Sequence, residues 1–156
     1  MAPRSRPTST IGWREWVTLP DLGGVTVKAK IDTGARTSSL HAARLTVSGP
    51  PGEQTVRFLL HPEQRSSANS VWVEAPVLEQ RDVRSSNGQV QRRPTIRTRI
   101  RLGDVETTVD LTLADRGRMG FRMLLGRTAL RRHFLIDPGR SELMGRPALL
   151  NSQDDA

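Results

Sequence analysis

The sequence lacks cysteine and tyrosine, and aromatic residues account for only 4% of its 156 residues. Without cysteine there is no disulfide framework, no thiolate nucleophile and no thiolate metal ligand. The chain also has neither the His-Glu-x-x-His pattern of zinc peptidases nor a Walker-type glycine-rich loop that could hold ATP. The sequence therefore predicts no metal site and no cofactor.

Long apolar runs are missing as well. The arginines near the N-terminus are not followed by an apolar segment, so no secretory signal is predicted. No stretch approaches the roughly 20 apolar residues of a membrane-spanning helix. We expect a soluble, cytoplasmic protein with one domain over residues 11–148, flanked by disordered tails at residues 1–10 and 149–156.

Negative charge is also in short supply. The formal net charge is +8, and 22 of the 24 basic residues are arginine, because Lys28 and Lys30 are the only lysines. A surplus of this size attracts polyanions such as nucleic acid, an acidic peptide or an anionic membrane. Arginine suits carboxylate and phosphate partners in particular, since its planar guanidinium can bind two oxygens at once.

Short strands dominate what the sequence does contain. Apolar and polar residues alternate from Val25 to Ile31, which predicts a strand with one buried face, and its polar face ends at Asp32. Elsewhere we predict short strands at residues 56–60, 71–73 and 133–136, and one or two helical turns at residues 127–132.

The clearest local element is a hairpin. Residues 95–102 and 105–113 flank Gly103-Asp104, which has the composition of a two-residue turn. Opposite charges then face each other across the two strands, and such pairs stabilise a sheet slightly. The predicted pairs are Arg97 with Asp110 and Arg101 with Glu106.

Two polar segments, residues 62–70 and 81–94, are predicted to be loops or a mobile hairpin. A flap over an active site is placed at residues 85–88, although an ordinary surface loop would fit that sequence equally well. Together the elements predict an all-β domain with one short helix near its C-terminal end.

Asp32 begins the Asp-Thr-Gly motif of residues 32–34, which occurs by chance in about one chain in thirty of this size. An Asp that ends a strand and bonds the following turn is the ordinary alternative. Three features favour a catalytic site instead. The strand presents the Asp on its polar face, just before the small residues Gly34 and Ala35, which let two backbones approach closely. The later run Leu124-Leu125-Gly126-Arg127 is apolar, ends at a glycine and enters a short helix. No other nucleophile, metal or phosphate site competes.

The motif of residues 32–35, taken with Leu124-Leu125-Gly126-Arg127, resembles the pair of signatures that defines retropepsins. The sequence is also similar to a bacterial family often labelled "ATP-dependent zinc protease", whose members are frequently encoded with the RimK-type glutamate ligase. That wider similarity is carried by residues 12–15, 29–42, 93–94, 111–116 and 123–127.

The resemblance implies a closed, retropepsin-like β-barrel and a homodimer with one catalytic Asp per chain. It also implies a peptidase that trims glutamate tails added by the ligase, including those on a ribosomal protein. By the same resemblance Asp32 is the catalytic carboxylate, Thr33 ties two catalytic loops together and Gly34 supplies a backbone N–H. Gly126 packs behind the site, and its neighbours Leu125 and Arg127 are expected to support the site structurally.

The chemistry also calls for a second chain. Peptide hydrolysis by carboxylates needs one ionised and one protonated group, which share a proton and titrate as a pair. The chain has no second Asp-Thr-Gly, and we interpret Asp137-Pro138-Gly139 as a turn because proline lacks the hydroxyl and the N–H of Thr33. A two-fold dimer would supply the second Asp32.

An arginine-lined cleft would suit a glutamate-rich peptide. The candidate substrate-binding residues are Ala35, Arg36, Arg93 and Arg116, although any one of these arginines could instead be an ordinary surface residue. Two other functions stay open. A nucleic-acid-binding β-barrel fits the charge, but such proteins usually stack bases on aromatic side chains, which are scarce here. A catalytically silent domain for dimerisation or as an adaptor would keep the fold without the activity.

Overall fold

The computed structural model of the chain describes residues 9–63, 68–84, 87–115 and 120–146. It confirms the predicted all-β fold, with a closed six-stranded β-barrel and one short helix. The elements in chain order are β1 Ser9–Ile11, β2 Arg14–Leu19, β3 Val25–Ile31, β4 Ser38–His41, β5 Ala43–Ser48, β6 Thr55–Leu60, β7 Val71–Pro76, β8 Glu79–Arg84, β9 Val90–Leu102, β10 Val105–Ala114, β11 Met123–Leu125, α1 Arg127–Leu130 and β12 Phe134–Ile136.

The main sheet has the strand order β10-β4-β11-β3-β2-β9-β8, and an additional pairing of β9 with β10 closes it. β11 lies between β3 and β4, parallel to the first and antiparallel to the second. Because β3 and β11 are parallel, their C-terminal ends lie side by side. The turn that follows β3 therefore meets the turn that follows β11.

Side-chain alternation in β3 divides the barrel interior from its outer face. Val27, Ala29 and Ile31 are buried, whereas Lys30 between the last two is exposed. This is the pattern expected when successive side chains of a strand point to opposite faces of a sheet. The predicted strand therefore forms, and its outer face leads to Asp32.

The hairpin of β9 and β10 has the predicted register. Gly103 lies in the connecting turn with a positive φ of 55°, a conformation that glycine adopts without strain. The predicted pairs of opposite charge form at 2.8 Å between Arg97 and Asp110 and at 3.0 Å between Arg101 and Glu106.

β9 begins earlier than predicted. Residues 90–94 extend it away from β10 and pair with β8, so most of the segment 81–94 is a regular hairpin. Regular strands were hard to predict here because β8 and the first residues of β9 are mostly polar, and none of the residues of β8 or of 90–93 is buried. The predicted flap falls at the tip of this hairpin, where Ser85 and Ser86 lie outside the described residues.

The N-terminal boundary also differs from the prediction. Ser9 and Thr10, assigned above to a disordered tail, belong to β1, which pairs in parallel with β12. A strand of three residues paired with a segment more than 120 residues away has no local periodicity to reveal it. The rest of the predicted tails, residues 1–8 and 149–156, lies outside the described residues.

A second, three-stranded sheet of β5, β6 and β7 is inserted between β4 and β8. Its inner face joins the core through Val56, Phe58 and Leu60, all fully buried. Within the described ranges, no helix is long and apolar enough to cross a membrane.

Candidate active site

Asp32 lies where β3 runs into a tight turn. Its backbone N–H donates to the Leu125 carbonyl at 2.8 Å, so the pairing between β3 and β11 continues to this residue. The carboxylate turns back on its own chain, and its Oδ1 accepts the Gly34 N–H at 3.0 Å. Asp32 is half-buried, while Thr33 and Gly34 are exposed. The turn therefore presents the carboxylate and two small neighbours at the surface.

Gly126 packs directly against this turn. Its N–H donates to Ser38 Oγ at 3.0 Å in a buried hydrogen bond. A Cβ at this position would lie 2.4 Å from the Thr37 carbonyl oxygen and 2.8 Å from that of Ala35. The backbone conformation does not require glycine here, because a φ of −96° is open to any residue. Glycine is needed because the neighbouring backbone leaves no room for a side chain.

Helix α1 fixes the carbonyl groups of the same turn. The Arg127 N–H donates to the Ala35 carbonyl at 2.8 Å. Its guanidinium Nη1 donates to the carbonyls of Thr33 and Gly34, each at 3.1 Å. Thr128 Oγ1 donates to the Arg36 carbonyl at 3.0 Å. Four consecutive carbonyls, from residue 33 to residue 36, thus accept hydrogen bonds from the start of α1.

The candidate residues divide into two groups. Residues 32–36 and Leu125–Arg127 form one cluster, as the two motifs suggested, and the Arg36 side chain is exposed beside it. Arg93 lies on another element, the β8–β9 hairpin, where its guanidinium donates to Gln91 Oε1 at 3.0 and 3.2 Å. Arg116 lies outside the described residues.

Sequence reasoning gave no role to several residues that build the site. Ser38 and Thr128 bond it from β4 and α1, and the Trp13 carbonyl accepts the Ile31 N–H at 2.8 Å just before Asp32. Ser38 and Trp13 stand in stretches that carry the family resemblance, which was the available signal. The Thr128 and Trp13 contacts each involve a backbone carbonyl oxygen, and no sequence pattern marks such a contact.

The second Asp-containing turn, at residues 137–139, is confirmed as a turn. Asp137 Oδ1 accepts the Gly139 N–H at 3.0 Å, and the Asp137 carbonyl accepts the Arg140 N–H at 3.2 Å. It follows β12, in the small β1–β12 sheet rather than the main sheet that carries Asp32.

A pair of histidines lies further along β4. The rings of His41 and His61 are stacked, with centroids 5.7 Å apart, and the His41 N–H donates to the Arg122 carbonyl at 2.8 Å. Burial lowers the pKa of His41 below its ordinary value of 6.5, and the Arg122 guanidinium lowers it further. The pKa of His61 is lowered by the same two causes.

Within the described ranges, no three His, Cys, Asp or Glu side chains come together in a way that could hold a metal ion.

The family model for the RimB-like group, described as "Retropepsin-like aspartic endopeptidase RimB", matches residues 10–147. The chain belongs to this family. The resemblance drawn from the two motifs is thereby confirmed. The family match covers both the Asp32 turn and the Gly126 support.

Curated relatives of this RimB-like chain carry the name "Probable alpha-L-glutamate ligase". The protein from Shewanella halifaxensis is 43% identical over 136 residues, a match covering 87% of this chain and 30% of that protein. The protein from Parasynechococcus marenigrum is 41% identical over 135 residues, covering 86% of this chain and 29% of that protein. The chain thus spans about 30% of the length of the curated relatives it matches.

A solved structure shares the fold. A Legionella pneumophila protein of unknown function is 28% identical and superposes with a TM-score of 0.72, and the match covers 88% of this chain and 98% of that one. The RimB-like barrel therefore occurs in that protein as nearly the whole of the solved chain.

Proposed function

We propose that this RimB-like chain is an aspartic endopeptidase that is active as a homodimer, with Asp32 of each chain in one shared site. The observation that carries the proposal is the Asp32–Gly34 turn, exposed at the end of β3 and fixed from behind by Gly126 and Arg127. A turn held in this way keeps the Asp32 carboxylate in one position, as a catalytic group requires.

The chemistry follows from the behaviour of two adjacent carboxylates. Two Asp32 side chains brought together cannot both ionise easily, so they share one proton. The ionised carboxylate takes a proton from a water molecule, whose oxygen attacks the peptide carbonyl. The protonated carboxyl polarises the carbonyl oxygen by donating a hydrogen bond. Neither residue can do both tasks at the same moment.

A second chain is required because this chain supplies only one catalytic Asp. Asp32 is the only Asp in an Asp-Thr-Gly sequence. The Thr33 side chain beside it is exposed, and its hydroxyl has no hydrogen-bond partner among the described residues of its own chain. A two-fold axis near Thr33 would bring the two Asp32 turns together and give the hydroxyl a partner.

We further propose an acidic substrate, namely the α-linked glutamate tails that a RimK-type ligase adds to proteins in the cytoplasm. The names of the relatives support a link to glutamate ligation. The net charge of +8 suits an acidic peptide, and the exposed Arg36 adjoins the Asp32 turn. Arg93 and Arg116 remain predicted substrate contacts.

The test is hydrolysis of an α-linked oligoglutamate peptide by the wild type and by Asp32→Asn at several pH values. Asn has almost the shape of Asp but cannot ionise, so the proposal expects cleavage by the wild type and none by the variant. Addition of EDTA should leave the rate unchanged. Cleavage by Asp32→Asn, or a fully monomeric wild type that is active, would overturn the proposed mechanism. A folded dimer that cleaves no acidic peptide would favour the adaptor function.

A further inference from the structure

We propose that Lys30 determines the specificity of this site by binding the carboxylate of an acidic substrate side chain next to the scissile bond. Lys30 can have this role only if the peptidase function proposed above is correct, because it would act on the substrate of the same site. Nothing in the sequence motif of residues 32–34 assigns it a function.

Lys30 lies two residues before Asp32 on β3. The hydrogen bond from the Asp32 N–H to Leu125 shows that the β pairing continues through both residues, so their side chains leave the same face of the strand. Two residues of an extended strand span about 6.6 Å. A lysine side chain can cover that distance, so its ammonium group can reach a substrate group bound beside the Asp32 carboxylate.

The sheet around Lys30 has a partly exposed surface on which a peptide could bind. Directly across from Lys30 is Leu124 on β11, and across from Leu124 is Ser39 on β4. Both are only half-buried, whereas their neighbours Leu125 and Leu40 are in the core. The row continues on β2 with Arg14, which lies directly across from Lys30 and contacts Glu142. Lys30 is therefore the cation of this row that has no ion-pair partner among the described residues, and it is the one next to Asp32.

The ammonium group of Lys30 is available to a ligand. It is exposed, and no carboxylate within the described ranges forms an ion pair with it. The two neighbouring cations on the same face are both engaged with Glu142, whose carboxylate lies 3.7 Å from Lys28 Nζ and 3.7 Å from Arg14 Nη2. Lys28 also lies over the Trp16 ring at 4.7 Å. Glu142 thus contacts both adjacent cations, whereas Lys30 has no ion-pair partner among the described residues.

A lysine without an ion-pair partner, next to the catalytic carboxylate, favours substrates with a negatively charged side chain. When a peptide covers it, a substrate carboxylate gains a charge-assisted hydrogen bond that an uncharged side chain of the same size cannot make in full. A single such bond corresponds to a factor of roughly 10 to 100 in binding. We therefore expect Lys30 to affect substrate affinity much more than the chemical step.

The experiment compares two peptides of equal length, an α-linked oligoglutamate and the same peptide with glutamine throughout. The enzymes are the full-length wild type, Lys30→Met, Lys30→Arg and the control Lys28→Met. Lys28 is the matched control because it is the other lysine, on the same strand and face, but is bound to Glu142. Dimer mass and thermal midpoint are measured for each variant, and Lys30→Gln replaces Lys30→Met if the latter does not fold.

The wild type should prefer the glutamate peptide at least tenfold. Lys30→Met should lose roughly 10- to 100-fold in kcat/KM on that peptide, mainly through a higher KM, and should lose the preference. Lys30→Arg should keep most of the preference because the charge is retained, and Lys28→Met should resemble the wild type.

The outcomes separate the two proposals. If the wild type cleaves neither peptide, the peptidase function itself fails. If the wild type cleaves but Lys30→Met keeps its KM and its preference, the role of Lys30 is wrong and the peptidase stands. If Lys30→Met slows both peptides equally through kcat, Lys30 supports the fold of the site and does not select the substrate.

Discussion

Arg127 Nη1 donates to the Gly34 carbonyl at 3.1 Å, across 93 residues of sequence. The same nitrogen donates to the Thr33 carbonyl at 3.1 Å. One side chain from α1 therefore fixes two successive peptide groups of the Asp32 turn. Because the Gly34 N–H is itself bonded to the Asp32 carboxylate, the position of Arg127 also influences where that carboxylate points.

Replacement of Arg127 by Met should reduce kcat by roughly 10- to 100-fold, because a displaced catalytic group loses productive geometry. KM should change much less. Lys at this position should recover part of the activity, since an ammonium group can still donate to one of the carbonyls. Steady-state kinetics on an oligoglutamate peptide provide the measurement.

Arg131→Met serves as the control for Arg127, because Arg131 is an exposed arginine at the other end of α1. A drop in kcat of equal size for both variants would show that general positive charge, and not the contact with the turn, matters at this position.

Gly126→Ala should destabilise the fold as well as the site. The new methyl group would lie 2.4 Å from the Thr37 carbonyl oxygen, so the backbone has to move. Overpacking of this kind costs about 1–3 kcal/mol in the free energy of unfolding, which denaturant titration measures. Gly120→Ala is the control, since a Cβ there meets none of the described residues within 4 Å, and it should change stability by less than about 0.5 kcal/mol. Equal stability of the two variants would contradict the packing argument.

How far the sequence could predict this fold depends on how local the determinants are. The β9–β10 register followed from alternation and from the turn at Gly103, both contained in 20 residues. The strands predicted at residues 56–60 and 71–73 form as β6 and β7. β1 was missed because a three-residue strand that pairs with a distant segment leaves no periodicity. In the site, the motifs indicated that Asp32 and Gly126 belong together. The guanidinium of Arg127 acts on backbone oxygens, which every sequence contains, so that contact could not be predicted.

Acidification should weaken the protein through the His41–His61 pair. Both pKa values lie below the ordinary value of 6.5 in the folded chain, chiefly because burial disfavours the charged ring. The unfolded chain therefore takes up protons first as pH falls below about 6.5, and the free energy of unfolding decreases until the folded rings also titrate. Nearby charges are Arg122, which opposes protonation, and Asp115, which favours it.

His61→Gln should flatten this pH dependence. The variant removes one of the two titrating rings, and so its stability should fall less steeply than that of the wild type between neutral and mildly acidic pH. Denaturant titrations at constant ionic strength across that range provide the comparison. Parallel curves for the two proteins would mean that other groups cause the acid sensitivity.

Thr33→Val should weaken the dimer. The Thr33 side chain is exposed on the isolated chain, and its hydroxyl has no partner among the described residues. If two Asp32 turns meet at a two-fold axis, each hydroxyl can bond the partner's turn, and Val keeps the shape while removing that bond. Loss of one hydrogen bond at each of two symmetric positions, at about 1 kcal/mol apiece, raises the dimer dissociation constant roughly 30-fold. Sedimentation analysis over a range of protein concentrations would detect the shift. Thr33→Ser retains the hydroxyl and should dimerise nearly as well as the wild type, whereas equal dissociation constants for Val and Ser would place Thr33 away from the interface.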